Sequence, residues 1–424
     1  MRWLWLAVLL FHAAPAVAAQ NDPGGKSSPG ITLRMGRRPS LRLGKIARID
    51  FRLKFQGDFR GFSPQLETKA GLFDLHRRRI GVEGTFLKHF EYEVERELRR
   101  EDPWRDVFVN FRYLRDFQIK AGKFKLPFSL DQLTAPADLD FIFRSRAAEL
   151  LSPGRDLGIT AHGRFFRRGL HYEGGLFLRD GENARLGDNP GAERTFAARV
   201  TGAPLRLLPL PSRLKTIELG GAFTSSTVPE GPKGLPGRMI SRRNIFPDPD
   251  PDLRMFVRGQ RLRLGAELSW MPGPFSVKGE FLHVRDQRRG QGLRGDDLPD
   301  YLCRGWYLAG AWAVTGESKR EGLDKPRRDF PRERGPGAVE LAMRYEQIRF
   351  GSSEHPGRPL RHQRAANILS NSDRVWTFGV NWYWNRWVKI QFNGVRERIE
   401  DAQRSPIPGR ERFWARLVRL QFVM

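Results

Sequence analysis

The stretch Val375–Phe392, VWTFGVNWYWNRWVKIQF, alternates with a period of two on both sides of a short turn. Trp376, Phe378, Val380, Trp382 and Trp384 fall on one side of an extended strand, and Thr377, Gly379, Asn381 and Tyr383 on the other. Past Asn385 and Arg386, Val388, Ile390 and Phe392 oppose Lys389, Gln391 and Asn393. One face is too apolar for water and the other too polar for a core. A wall between hydrocarbon and an aqueous interior wants both. In a bilayer every backbone N–H and C=O must be paired, so a wall made of strands has to close into a barrel.

The remaining sequence agrees with that choice. The chain has 424 residues, 29% of them charged, and a formal net charge of +26. After the N-terminus no run of apolar residues is long enough for a transmembrane helix. The N-terminus, MRWLWLAVLLFHAAPAVAAQ, has one basic residue, an apolar stretch and small residues at Ala16, Val17, Ala18 and Ala19. This pattern predicts a signal peptide over residues 1–19 and an exported protein. Cys303 is the single cysteine, which excludes an internal disulfide framework.

Alternating segments recur throughout. Ile49, Phe51, Leu53 and Phe55 oppose Asp50, Arg52, Lys54 and Gln56; Leu262, Leu264, Leu268 and Trp270 oppose Arg261, Arg263 and Glu267. Strands are expected near 46–57, 78–86, 90–98, 107–113, 117–124, 157–165, 169–179 and 195–203. Others are expected near 214–224, 257–270, 275–285, 304–315, 336–347, 374–384, 387–397 and 411–424. Short links such as Leu87–His89 and Met271–Pro274 alternate with long ones such as 125–156 and 225–256. Tight turns at one end and long loops at the other, with an even number of strands, are the pattern of a bacterial outer-membrane barrel. The link 316–335 breaks the alternation, being long where a tight turn is due. The expected organisation is a signal peptide (1–19), a periplasmic N-terminal extension (20–45) and an all-β transmembrane antiparallel barrel of about sixteen strands (46–424).

A family resemblance rests on six segments: RRRIGVEGTFLKHFEYEVE (77–95), AGKFKLPFSLDQLT (121–134), SPGRDLGITAHGRF (152–165), GWYLAGAWAVTGESK (305–319), AVELAMRYEQI (338–348) and FGVNWYWNRWVKIQFNGV (378–395). Together they resemble the phosphate-selective O/P porins of Gram-negative outer membranes. The resemblance implies a sixteen-stranded barrel, a homotrimer and passive conduction of anions. It further implies a third outer loop, here 125–156, folding inward to narrow the pore. The chain departs from the usual aromatic terminus by ending Phe422-Val423-Met424.

Function then turns on charge. Rings of Arg and Lys replace an anion's lost hydration with fixed donors, and the planar fork of Arg suits phosphate oxygens. The residues expected in the constriction and lumen are Lys120, Lys123, Lys125, Arg144, Arg146, Arg155, Arg52, Lys54, Arg261 and Arg263. Glu91, Glu93, Glu95, Glu267, Glu280 and Glu340 share the inward face, so local neutralisation is expected too. Trp376, Trp382, Trp384 and Trp387 are expected at the lipid interface, where an indole ring is buried and its N–H stays wet. The function read from this pattern is an anion channel, with phosphate or polyphosphate as the expected anion. The alternatives are a general non-selective pore and a barrel that binds without an open pore.

The partners expected are phosphate, chloride and the lipid and lipopolysaccharide of the outer membrane. Nucleic acid is not expected despite the charge, because the basic residues alternate with apolar ones. No HExxH, CxxC, GxSxG or GxxxxGK[ST] pattern occurs, and Asp296, Asp297 and Asp300 lack EF-hand spacing. No enzyme, cofactor or metal is expected.

Overall fold

The computed structural model describes residues 31–424 apart from 36–37, 64–72, 99–102, 167–168, 183–191, 235–253, 353–363 and positions 320, 321, 324, 332, 369 and 406. The expected signal peptide lies outside these residues. Two short strands come first, β1 (Ile31–Met35) and β2 (Pro39–Leu43). They form a hairpin inside the stretch expected as an extension, and β2 pairs onward with β3 (Ala47–Ser63). Next come β4 (Phe73–Phe86), β5 (Phe90–Glu97), β6 (Trp104–Phe111) and β7 (Gln118–Lys125). Then follow β8 (Arg155–Phe165), β9 (Leu170–Arg179), β10 (Glu193–Gly202), β11 (Glu218–Gly234) and β12 (Arg254–Trp270). The chain continues through β13 (Phe275–Arg288), β14 (Leu298–Ala313), β15 (Ala338–Ser352), β16 (Asn371–Tyr383), β17 (Val388–Ile399) and β18 (Arg412–Val423).

Every strand from β3 onward pairs antiparallel with the next, and β18 returns to β3, with Phe422 opposite Phe55 and Trp414 opposite Ser63. The result is a closed barrel of sixteen strands, β3 to β18. Closure removes the unpaired edges that an open sheet would leave in hydrocarbon. At the seam Leu53 and Met424 exchange backbone hydrogen bonds of 2.9 and 2.8 Å.

Alternation in sequence becomes alternation in burial. On β16 Arg374, Trp376, Phe378 and Val380 are exposed, and Val375, Thr377 and Asn381 between them are buried. The exposed parity carries large apolar side chains around the wall, among them Leu308, Leu341, Met343, Phe392 and Leu420. The buried parity carries Lys54, Glu95, Arg261, Glu280, Arg344, Gln391 and Arg419. Polar inside and apolar outside is the reverse of a soluble sandwich. No helix of the described residues is long and apolar enough to cross a membrane.

The link expected at 316–335 is an elaborated turn spanning 314–337. It is held by Thr315 Oγ1, which accepts from Val339 N at 3.1 Å, and by Phe330 N, which donates to Trp384 O at 2.7 Å. Phe330 packs against Trp382 and Trp384.

Candidate functional site

The segment between β7 and β8 is built by local chemistry. Pro127 lacks the N–H that would extend the strand. Ser129 then caps the short helix α1 (Leu130–Leu133), accepting from Gln132 N at 3.2 Å. Ser145 caps α2 (Arg146–Leu151) in the same way, accepting from Ala148 N at 3.1 Å.

Side chains of the inward strand faces hold this segment along its length. Glu280 on β13 accepts from Leu130 N (2.6 Å), Asp131 N (3.0 Å) and Ser129 Oγ (3.2 Å). Lys389 on β17 donates to the carbonyls of Ala137 and Leu139 at 2.7 and 3.1 Å. Asn381 Nδ2 donates to Asp140 O, Asn393 Oδ1 accepts from Ile142 N, and Arg419 Nη1 donates to Ile142 O. The Asp140 carboxylate pairs with Lys278 (3.2 Å) and Lys319 (2.7 Å). Burial would raise the Asp140 carboxyl, but the two ammonium groups hold it well below the usual carboxylate range. Burial would likewise lower Lys319, and Asp140 with Glu340 outweigh that and raise it. Apolar contacts add to these tethers: Ile142 and Phe143 pack with Val375, Val395, Phe413 and Leu417, and Phe128 and Leu151 with Leu282 and Tyr301.

Most of the cations expected at the site are neutralised by an acid. Arg52 pairs with Glu93 and with Glu83 at 3.0 Å, and Lys54 pairs with Glu95. Lys120 pairs with Glu173 at 2.7 Å and lies over the Phe124 ring at 4.3 Å. Arg146 joins Asp373 (2.7 Å) and Glu397 (2.9 Å), and Arg155 forks onto Asp106. Arg261 and Arg263 share Asp180, and Arg261 also meets Asp286.

Two expected residues differ. Lys125 Nζ donates to the carbonyls of Gln132, Leu133 and Thr134. Arg144 donates to Gln132 Oε1 (3.1 Å) and to Thr134 O (2.6 Å), and its Nη1 is buried without a hydrogen-bond acceptor in the protein. Burial pulls the Arg144 pKa down, and Asp131 opposes that only in part. Neither Lys125 nor Arg144 has a salt bridge among the described residues. Arg77 joins them in this respect, donating to Gln56 Oε1.

Lys123 does not reach this group. Its register partners are Val107 and Leu157, and Leu157 belongs to the exposed apolar row. Of the interfacial aromatics, Trp376 is exposed among the apolar row, and Trp382, Trp384 and Trp387 are half-buried at the tight turn. Trp382 Nε1 donates to Pro336 O at 2.9 Å.

Sequence reasoning did not single out Asp140, Asp180, Arg77, Lys319 or Arg419. Arg419 alternates with Gln421 on β18, so the signal for it was present. Arg77 sits in the run Arg77-Arg78-Arg79, whose alternation gives no facing. Regular pairing with buried Gln56, on the parity of Arg79 and opposite that of exposed Ile80, sets it inward.

Similarities to known proteins agree with this architecture. Porin O of Pseudomonas aeruginosa is 28% identical over 140 residues, which is 32% of this chain and 30% of that protein's length. The alignment thus spans under a third of that relative. Among solved structures, an anion-selective porin from Comamonas acidovorans superposes with a TM-score of 0.54 at 11% identity, covering 89% of this chain and 100% of the other. OmpT of Vibrio cholerae in its trimer form gives 0.55 at 9% identity, over 89% and 100%. At such identities the structures speak for the fold. The family model described as phosphate-selective porin O and P matches residues 49–424, and over that length this chain belongs to the phosphate-selective porin O and P family.

Proposed function

We propose that the protein is an outer-membrane porin through which anions diffuse passively, with residues 126–154 lying across the lumen as its narrowest part. A channel rather than an enzyme fits both family and fold. The observation that carries the reading is the group Lys125, Arg144 and Arg77: half-buried cations held by carbonyl or amide oxygens and, among the described residues, by no carboxylate. An ammonium or guanidinium without a counter-charge keeps its field for a passing ion, and water-poor surroundings strengthen it. The remaining expected cations, paired with Glu and Asp, would serve as a neutralised wall. Lys123, on the outward parity, would lie outside this path. Trp376, Trp382, Trp384 and Trp387 would sit toward the lipid boundary.

Residues 1–19 would direct export and be removed, and residues 20–45 would lie on the periplasmic side with the β1–β2 hairpin. The trimer described for the Vibrio cholerae relative supports the same assembly here. Because so much of the wall is internally paired, a preference for anions in general is favoured over strict phosphate specificity.

Single-channel recording tests this reading. Reversal potentials in a KCl gradient are expected to favour chloride, and added phosphate to block the chloride current in a saturable way. Converting Lys125 and Arg144 to Gln should weaken that block by about tenfold or more, from about 1.5 kcal/mol or more per charged hydrogen bond. A folded double variant with unchanged reversal potential and block would move the filter away from these residues.

A further inference from the structure

The outward face of β13–β18 carries a feature that the conducting path does not use. Arg285, Arg304, Arg349, Arg374, Arg398 and Arg412 are all exposed, and all lie toward the end of the barrel that bears the long loops. Register places them side by side. Arg304 faces Arg349, Arg374 faces Arg398, and Arg398 faces Arg412, while Arg349 faces Ser372, two residues before Arg374. Like charges directly opposite on neighbouring strands destabilise a sheet. Acids relieve little of it here: Arg285 pairs with Asp300 and Arg398 with Glu411 at 3.4 Å. Arg304, Arg349, Arg374 and Arg412 have no salt bridge among the described residues.

The height of the row is defined by what lies beside it. One step toward the tight-turn end comes a line of aromatic rings, Trp306, Tyr345 and Trp376, with centroids 5.4 and 4.6 Å apart, and Trp414 beneath the Arg396 guanidinium at 5.4 Å. Beyond the rings the same face is apolar through Leu308, Met343, Phe378, Phe392 and Leu420, with Arg416 on β18 the exception. Trp and Tyr mark the boundary between hydrocarbon and headgroups. Guanidinium groups one step outside that boundary stand where lipid phosphates lie.

We propose that this arginine row binds the phosphate groups of a phosphorylated glycolipid in the outer leaflet, one lipid bridging arginines of adjacent strands. Planar guanidinium forks match phosphate oxygens, and the bridging anion removes the repulsion between facing arginines. The inference rests on the outer-membrane reading given above.

Native mass spectrometry of the full chain in detergent tests it, with bisphosphorylated lipid A and its dephosphorylated form, identical in acyl chains, as probes. Retention of the bisphosphorylated lipid should exceed that of the other by about tenfold. The triple substitution Arg349→Gln, Arg374→Gln, Arg412→Gln should remove that excess. The triple substitution Arg206→Gln, Arg213→Gln, Lys215→Gln, at the opposite end of the barrel, should leave it intact. Equal retention of the two lipids by the native sequence overturns the inference without any variant. So does a fall in retention shared by both triple variants, or a first triple variant that changes subunit number and not lipid content. Chloride recordings on the same preparations separate the two claims: conductance and anion preference intact with no lipid preference sinks the lipid site alone. A native chain that retains lipid and conducts nothing sinks the channel alone.

Discussion

Asp180 illustrates what a single residue holds together. It is fully buried just past the end of β9, and it accepts from both Arg261 and Arg263, with Arg263 Nη2 at 3.0 Å from its Oδ2. Arg261 has Asp286 as a second partner, whereas Arg263 is left, among the described residues, with the Thr224 hydroxyl at 3.4 Å. Asp180→Asn therefore strands a buried guanidinium, and removal of one partner from a buried ion pair costs about 3–5 kcal/mol. The expected outcome is a lower midpoint of urea unfolding with an unchanged slope. A midpoint within error of the native one would mean that Arg263 reaches another acid. The two arginines were legible in the alternation of β12. Asp180 was not, because it sits in a bend where no periodicity applies, some 80 positions away along the chain.

At the scale of elements, the segment 126–154 and the strand faces make different demands. Asp140 anchors the segment to Lys278 and Lys319, which depress its carboxyl in the folded state. A depressed folded value means that the stabilisation is fully present above the unfolded carboxyl pKa of about 3.9 and is lost as pH falls toward the folded value. Thermal midpoints should thus fall more steeply below about pH 4 in the native protein than in Asp140→Asn. Parallel curves would show that the anchor contributes nothing. On the exposed parity of β16, Val380→Arg should cost about 2–4 kcal/mol near the bilayer midplane, read as a loss of folded yield in lipid vesicles. On the buried parity Gln391 is bonded to Leu139 O and Asn381 Oδ1, so its removal also carries a cost, through lost hydrogen bonds rather than a charge in hydrocarbon.

The strands were legible because period two survives wherever one face meets lipid. All sixteen barrel strands occur in the expected order, though β3 extends past its expected end and β14 begins before its expected start. The tight turns were equally readable. The β1–β2 hairpin and the 314–337 turn were not, since their shape depends on neighbours distant in sequence, such as Trp384 against Phe330. The candidate site was legible in residue type and not in pairing. Lys125 and Arg144 were among the ten expected cations because they lie in the long link 125–156, but nothing in the sequence told which of the ten would meet a carboxylate.

For the whole molecule, the paired strands predict a sheet-dominated circular dichroism spectrum in detergent and a gel mobility that shifts on boiling. A helical spectrum would be incompatible with the barrel. The seam between β18 and β3 has a further consequence, for the time course of assembly. It joins positions far apart in the chain, such as Lys54 and Val423, whereas every other pairing among the sixteen barrel strands links successive strands. Closing so long a loop carries the largest entropic penalty and comes last. Until then two strand edges and an apolar exterior are open together, which is the condition for aggregation in water. Survival of the chain therefore depends on a race between ring closure in lipid and clumping outside it, and the kinetics of that race are set at a single pair of strands.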